Sequence, residues 1–283
     1  QHMSEKIKDD LSSLENIYLN NYLWIKTIER YNNMRKKLKI AFSLAGYRQV
    51  FNDEKGRRTL FFELIRIMKA KKPKIVFLEN VKNLVGHDNG NTFRIILEQL
   101  EGLGYHVKYQ VLNAKDYGNI PHGRERIYIV AFKNKSLYQK FEFPKPIKLT
   151  TKLEECINFV DRQEDKYYYN ENNCKFYEKL VESVTKKDTI YQWHRTYVRE
   201  NKSNVCPTLT ANMGTGGHNV PLVKTENGIR KLTPQETFNL QGFPKSYKLP
   251  NDLSNTRLYK QAGNSVVVTV INRIAIEIEK VLK

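Results

Sequence analysis

An alternation of strand-like apolar runs with helix-like periods constrains the fold of this chain more than any other feature. Residues 74–78 (Lys-Ile-Val-Phe-Leu) form a short apolar run, typical of a strand buried on both faces of a parallel sheet. A helix-like period precedes the run and ends before Pro73, which cannot continue a helix. The full pattern predicts helices over 59–69 and 92–102 and strands over 74–78, 106–112 and 127–132. This alternation indicates an α/β sheet with helical crossovers.

The segments outside this alternation differ in character. Apolar spacing predicts one or two amphipathic helices in 4–37 and a further helix over 266–282. Tyrosine, asparagine and lysine crowd 163–177 and periodicity fades, so we expect a separate, loop-rich lobe between residues 146 and 228. One loop of this lobe contains Gly214, Gly216 and Gly217, and either approaches a ligand closely or is an ordinary connection.

The net charge of the chain points to a polyanionic partner. Lys and Arg number 48 against 30 Asp and Glu, which gives a formal charge of +18. The basic residues are spread along the whole sequence rather than gathered in a tail. Nucleic acid, held through phosphate contacts that salt weakens, is the simplest partner of this kind. Charge does not distinguish DNA from RNA, and a basic protein without such a partner is the plainer alternative.

The three cysteines argue against two classes of stabilised site. Cys156, Cys174 and Cys206 are odd in number and match no Cys/His metal spacing, so we expect neither a disulfide framework nor a metal site. No apolar run reaches the roughly 18 residues of a membrane-spanning helix, and no secretion signal opens the chain. These observations predict a protein of a reducing cytoplasm without membrane contact.

Five segments resemble, in the same order, the motifs of bacterial DNA cytosine-5 methyltransferases. Each alone is a weak signal, but the ordered set spans about 39–283. The segments are 41–46 with 59–63, 79–84, 112–118 with 124–128, 230–236 with 241–244, and 261–267.

The resemblance implies an α/β fold, a doubly wound sheet like that of S-adenosylmethionine-dependent methyltransferases, truncated in its N-terminal half, with a smaller target-recognition lobe. It implies duplex DNA as partner, S-adenosylmethionine as cofactor, and a cytosine flipped out of the duplex. A role in a restriction-modification system in the bacterial cytoplasm follows. The implied domains are a helical segment at 1–37, the catalytic-lobe remainder at 38–145, the recognition lobe at 146–258, and a C-terminal helix at 259–283 that returns to the catalytic lobe.

The resemblance also assigns residues to the reaction. Glu79 matches the acid that shares a proton with cytosine ring nitrogen 3, although a carboxylate at a helix N-terminus is the plainer interpretation. Arg126 matches the arginine that holds the base carbonyl, with Arg124 beside it. Two arginines that contact phosphate or lie on the surface are the alternative.

Other positions match the cofactor and DNA contacts of the family. Asn264 and Ser265 are implied on the cofactor side. The implied DNA-binding residues are Ser43, Arg124, Thr208, Thr210, Gly214, Gly216 and Gly217.

The sequence departs from the family at its most reactive position. The resemblance places Lys39 where the family has its nucleophilic cysteine, and a protonated lysine is unsuited to reversible attack on carbon 6. Residues 1–37 contain no glycine, so the glycine-rich cofactor loop is absent from them and cofactor binding by this chain alone is doubtful. His122 replaces a glutamine of the family, and Arg57 and Arg58 look like an insertion.

Three interpretations follow from these departures. The chain is one subunit of a split enzyme completed by a second polypeptide, a non-catalytic DNA-binding or regulatory relative, or a rearranged gene product. All three predict no methyl transfer by the isolated chain.

Overall fold

The structure, a computed structural model, describes residues 38–43, 59–194, 197–215 and 221–283. The described chain divides into two compact units, one formed by 59–112, 126–143 and 278–283 together with 38–43, and the other by 113–125 and 144–277 less the undescribed residues. None of the described helices is long and apolar enough to cross a membrane. The amphipathic helices predicted for 4–37 and the insertion at Arg57 and Arg58 lie outside the described residues.

The first unit is built on a four-stranded sheet whose strands lie in the order β1 (Leu38–Ser43), β2 (Ile75–Val81), β5 (Glu125–Phe132) and β3 (His106–Asn113). Two helices, α1 and α2, pack on one face of this sheet through a core that contains Leu64, Ile96 and Ile129. The unit comprises β1 (Leu38–Ser43), α1 (Thr59–Lys71), β2 (Ile75–Val81), α2 (Asn91–Gly102), β3 (His106–Asn113), β5 (Glu125–Phe132) and α4 (Lys135–Lys140), with single residues of β3 and β5 falling in the other unit. The helices and strands predicted between 59 and 132 are confirmed, with their ends shifted by a few residues.

The expectation of a parallel environment for the apolar run at 74–78 was only half right. Strand β2 is buried from Ile75 to Asn80 and runs parallel to β1, but its other neighbour, β5, is antiparallel. An interior strand is apolar because both of its faces are covered, whichever way its neighbours run. An apolar run therefore predicts a buried strand but does not predict whether its neighbours run parallel or antiparallel to it. The sheet contains both kinds of pairing and is mixed.

The second unit contains more regular structure than its sequence predicted. Between residues 146 and 228 we expected a loop-rich lobe, but a four-stranded sheet forms there and is completed at Lys231. Its strands lie in the order β10 (Gly228–Lys231), β9 (Pro221–Thr225), β6 (Tyr191–His194) and β7 (Tyr197–Glu200). Its pairings are all antiparallel. Each strand has only four or five residues, so its alternation is too short to stand out in sequence.

The elements of the second unit, including the four strands of this sheet, lie between residues 114 and 282. They are α3 (Ala114–Tyr117), β4 (His122–Gly123), α5 (Tyr177–Ser183), β6 (Tyr191–His194), β7 (Tyr197–Glu200), β8 (Cys206–Pro207), β9 (Pro221–Thr225), β10 (Gly228–Lys231), α6 (Pro234–Asn239), α7 (Asn255–Asn264) and most of α8 (Val268–Leu282). Strands β4 and β8 form a separate two-stranded parallel sheet. The last helix confirms the period predicted over 266–282.

Candidate functional site

Glu79 and Asn80 lie near the carboxyl end of β2 and are almost completely buried. Their exposed fractions are 4% and 3%, although both side chains are polar. The side-chain oxygen of Asn80 accepts a hydrogen bond from the backbone N–H of Val81 at 2.7 Å, and this contact fixes the end of the strand. The sheet therefore presents Glu79 from a rigid element.

Arg126 lies beside Glu79 on the neighbouring strand. The register pairs Glu79 with Tyr128 and Val81 with Arg126, which makes Glu79 and Arg126 diagonal neighbours on one face. Arg126 Nε is 3.1 Å from Glu79 Oε1, and the two side chains are 11% and 5% exposed. The two groups therefore form a buried ion pair.

The carboxylate of Glu79 keeps unused hydrogen-bonding capacity. Although Arg126 Nε is close, its N–H is not aimed at the oxygen, and neither Glu79 oxygen accepts a hydrogen bond from the described residues. A buried carboxylate without donors is costly, so native structures retain one where a ligand or a function uses it. The Glu79 carboxylate can therefore accept hydrogen bonds from the polar edge of a bound ring.

A second constellation, in the other unit, holds the backbone of Leu209. The Nε2 atom of His122 accepts a hydrogen bond from the Leu209 N–H at 3.1 Å, so the proton resides on Nδ1, which donates to the Leu240 carbonyl at 3.0 Å. Arg124 Nη1 donates to the Leu209 carbonyl at 2.9 Å. Two buried side chains thus occupy both polar backbone groups of Leu209, and we call His122 and Arg124 the backbone clamp.

In sequence, His122 stands out only as a departure from the family's glutamine. A neutral histidine and a glutamine each offer one donor and at least one acceptor, so both satisfy an N–H on one side and a carbonyl on the other. The geometry of His122 uses both functions. The role of His122 could have been predicted by comparing the donors and acceptors of histidine and glutamine rather than the residue names.

Arg124 also connects the clamp to the end of α7. Its Nη2 donates to the carbonyls of Gly263 at 3.1 Å and Ser265 at 2.6 Å. Glycine at position 263 lets the end of α7 lie close to the backbone of Thr210, because a Cβ there would lie 2.3 Å from the carbonyl carbon of Thr210. The sequence predicted a base or phosphate contact for Arg124. The structure gives its guanidinium three backbone carbonyls that tie residues 209–210 to 263–265.

Two residues predicted on the cofactor side lie at the end of α7. The side-chain amide of Asn264 is half-buried and makes no hydrogen bond within the described part of the chain, so it can bind a ligand. The hydroxyl of Ser265 donates to the Ala262 carbonyl at 2.8 Å and retains only acceptor capacity. Asn264 therefore fits a polar cofactor better than Ser265 does.

The predicted DNA-binding residues of the second unit have different local roles. The Thr208 hydroxyl donates to the Gly123 carbonyl at 2.6 Å, and the Thr210 hydroxyl to Asn212 Oδ1 at 2.6 Å. A Cβ on Gly214 would lie 2.8 Å from a ring carbon of Tyr259, so packing alone requires glycine there. Thr208 and Thr210 are only partly buried.

Other predicted residues lie in β1 or outside the described chain. Ser43 ends β1 and pairs with Glu79, which brings the backbones of two predicted site residues together. Lys39, at the predicted nucleophile position, lies in the same strand. Gly216 and Gly217 lie outside the described residues.

Two of the three cysteines are held in an unreactive state. All three are free. Burial raises the pKa of the Cys156 thiol to about 11 and raises that of Cys206 well above its usual range. Because the thiolate is the reactive form, these two thiols are unreactive near neutral pH.

Comparison with known proteins gives one consistent result. The model of the family described as C-5 cytosine-specific DNA methylase matches residues 40–280. The chain is 65% identical over 240 residues to the type II methyltransferase M.Bsp6I of Bacillus sp. (strain RFL6), covering 85% of this chain and 76% of that protein. It is 41% identical over 240 residues to the type II methyltransferase M.SsoII of Shigella sonnei, covering 83% of this chain and 60% of that protein.

A solved structure agrees in fold. The methyltransferase EhMeth of Entamoeba histolytica aligns with a TM-score of 0.65 at 18% sequence identity, covering 90% of this chain and 81% of that one. At this identity the likeness concerns the fold, which is that of a methyltransferase. Since the family model matches most of the sequence and the relatives are well above 30% identical, the chain belongs to the C-5 cytosine-specific DNA methylases.

Proposed function

We propose that this chain binds duplex DNA, holds a cytosine flipped out of the helix, and transfers no methyl groups by itself. The observation that carries the proposal is the buried Glu79–Arg126 pair with its unused carboxylate oxygens, in a chain of this family. The alternative within the same proposal is a purely DNA-binding or regulatory relative.

The chemistry of cytosine fits this pair. The base presents an amino group and ring nitrogen 3 on one edge and a carbonyl oxygen beside them. Glu79 would accept from the amino group and share a proton with the ring nitrogen, while Arg126 would donate to the carbonyl. An enzyme reaches a ring carbon only when the base is out of the stack, and the unpaired edge is then free for these contacts.

The proposed lack of methyl transfer by the isolated chain rests on Lys39. S-adenosylmethionine, when bound, would supply the methyl group, and Asn264 would hold part of it. Cytosine carbon 5 becomes nucleophilic only after addition at carbon 6, and the lysine at the family's cysteine position is protonated unless strongly desolvated. Isothermal titration with S-adenosylmethionine tests the cofactor contact, which Asn264→Ala is expected to weaken.

The wider biological setting remains part of the proposal. A restriction-modification role and a cytoplasmic location are inferred from the type II methyltransferase relatives. A second polypeptide that completes the enzyme stays a prediction.

The central test combines binding with transfer. The purified chain is mixed with unmethylated duplex DNA and S-adenosylmethionine carrying a labelled methyl group. We expect the logarithm of the association constant for DNA to fall linearly with the logarithm of salt concentration, because a chain of charge +18 displaces counterions from phosphates. We also expect no labelled methyl groups in the DNA. Labelling of the DNA at ordinary enzyme turnover would contradict the proposed lack of methyl transfer. A DNA affinity that does not change with salt concentration would contradict the proposed binding to DNA phosphates.

A further inference from the structure

Four exposed lysines lie together beside the amino-terminal end of β2 in the first unit. Lys71 ends α1, Lys72 and Lys74 lie in the connection to β2, and Lys133 directly follows β5. The backbone N–H of Lys133 donates to the Lys74 carbonyl at 2.9 Å, which brings the two stretches of chain together. We call these four side chains the lysine patch.

The backbone beneath the lysine patch is held in place by a buried tyrosine. The Tyr105 hydroxyl donates to the Pro73 carbonyl at 2.7 Å. The ammonium group of Lys133 lies 4.4 Å from the centroid of the Tyr105 ring and donates to the Leu103 carbonyl. Neither the ring nor the carbonyl neutralises the charge of the lysine, so the patch keeps four positive charges on an ordered surface.

The lysine patch differs in its pairing from other exposed cations of the same unit. Arg66 pairs with Glu63 at 2.7 Å, and Arg94 pairs with Glu98. Among the described residues, no acidic side chain pairs with any of the four lysines. Because like charges held close together repel one another, an unpaired basic cluster favours an anionic partner.

The backbone of Lys72 gives a second reason to assign a function to the patch. Its φ is +44°, a left-handed conformation that glycine adopts more readily, and its N–H donates to the Met68 carbonyl at 2.8 Å. A cation near the end of α1 also interacts favourably with the helix dipole, which accounts for Lys71. The dipole does not require a lysine instead of glycine at position 72, nor a charge at Lys133.

We propose that the lysine patch binds the phosphate backbone of a second segment of duplex DNA, separate from the segment whose cytosine Glu79 would hold. The inference extends the proposed function and rests on its duplex contact. Lys74 precedes β2 and Glu79 lies five residues further along the chain, a separation of roughly 16 Å in an extended strand. The patch and the carboxylate therefore lie towards opposite ends of β2.

The chemistry of the lysine patch fits a duplex better than a single strand. Lysine binds phosphate as a point charge, and phosphate contacts carry no sequence information. Single-stranded nucleic acids gain affinity where their bases stack on exposed aromatic rings, whereas Tyr105, the ring in contact with the patch, is buried. The patch therefore fits a duplex backbone of any sequence.

The test counts how many short duplexes the full chain binds, by sedimentation velocity at fixed salt. The unaltered chain is compared with a patch variant, Lys72→Gly with Lys74→Gln, and with a control variant, Arg66→Gln with Arg94→Gln, which loses the same charge from the same unit. Thermal melting checks folding, and the patch variant should melt no lower than the unaltered chain because glycine adopts a positive φ readily. Single-stranded DNA and poly-glutamate serve as competitors.

We expect the unaltered chain and the control variant to bind two duplexes each. The patch variant should bind the second duplex roughly 10- to 50-fold more weakly and the first one unchanged, because two phosphate contacts are lost. The salt dependence of the second affinity should become shallower by about two counterions.

A single bound duplex on the unaltered chain, or equal loss of the second duplex in both variants, overturns the proposal and leaves the proposed function intact. An unchanged second affinity in the patch variant does the same. Displacement of the second duplex by poly-glutamate or by single-stranded DNA as readily as by free duplex also overturns it, because the partner is then an acidic protein or a single strand. Absence of all duplex binding overturns the proposed function as well.

Discussion

Two buried pairs of opposite charge show how neighbouring groups decide a residue's role. Arg230 and Glu236 are joined by two contacts of 2.7 and 2.8 Å, and Glu236 also accepts from the backbone N–H groups of Asn158 and Thr233. Glu79 accepts no hydrogen bond from the described residues. A carboxylate with four donors holds its own unit together. A buried carboxylate without donors, such as that of Glu79, can still accept hydrogen bonds from a ligand.

Removing one partner of the saturated pair should destabilise the protein strongly. Arg230→Met leaves the Glu236 carboxylate, 6% exposed, buried without its counter-ion. We expect a loss of about 3–5 kcal/mol in the free energy of unfolding, measured by urea denaturation. Arg162→Met, which breaks an exposed arginine pair, should leave stability unchanged. Equal effects of the two substitutions would contradict this account.

At the scale of elements, the backbone clamp joins β4 to the segment that follows β8. Cys206 donates its N–H to the Pro121 carbonyl at 2.8 Å, and Thr208 and Leu209 continue the contact along residues 122–124. The hydrogen-bond partners of this region could not be predicted from its sequence. Leu209 is 87 residues from His122, and contacts across such separations leave no local periodicity.

The clamp gives a prediction that separates hydrogen bonding from shape. His122→Gln should behave like the unaltered chain because glutamine supplies the same donor and acceptor. His122→Leu should leave the Leu209 N–H and the Leu240 carbonyl unpaired, at a cost of about 1–3 kcal/mol. Hydrogen exchange of peptides covering 206–210 should accelerate only in the leucine variant. Equal protection in both variants would show that His122 acts by packing.

Secondary structure was predictable where elements are long and one-sided. Helices α1 and α2 have full apolar stripes and are covered by the sheet, so their periods are plain in the sequence. The hairpin formed by β6 and β7 has four residues in each strand and an exposed face, and it was not foreseen. Its contribution to the unit depends on neighbours far along the chain.

At the scale of the whole molecule, burial of ionisable groups in both units limits stability at alkaline pH. Burial raises the pKa of Tyr105 to about 12, of Tyr169 to about 12 and of Cys156 to about 11. The folded chain therefore retains protons that the unfolded chain releases from about pH 9 upward. The stabilisation is complete below the unfolded pKa values and is lost as pH rises through the folded ones.

Melting temperatures measured between pH 8 and 12 test this linkage. We expect them to fall steadily above pH 9, and to fall less steeply in Tyr169→Phe, because phenylalanine has no proton to release. Tyr109→Phe, at a tyrosine that is 49% exposed, is the matched control and should keep the slope of the unaltered chain. A Tyr169→Phe slope equal to that of the control would refute the assignment.

The α/β alternation, the family and the positions that match its motifs were predictable from residue order, because they depend on motifs and on periods of two to four residues. The prediction that Lys39 stands at the nucleophile position also comes from the sequence. Three features became visible only in the folded chain: Arg124 binds backbone carbonyls, Glu79 accepts no hydrogen bond from the described residues beside Arg126, and β2 has an antiparallel neighbour. These outcomes depend on which distant groups meet, and the pairing of distant groups is set by packing of the whole unit.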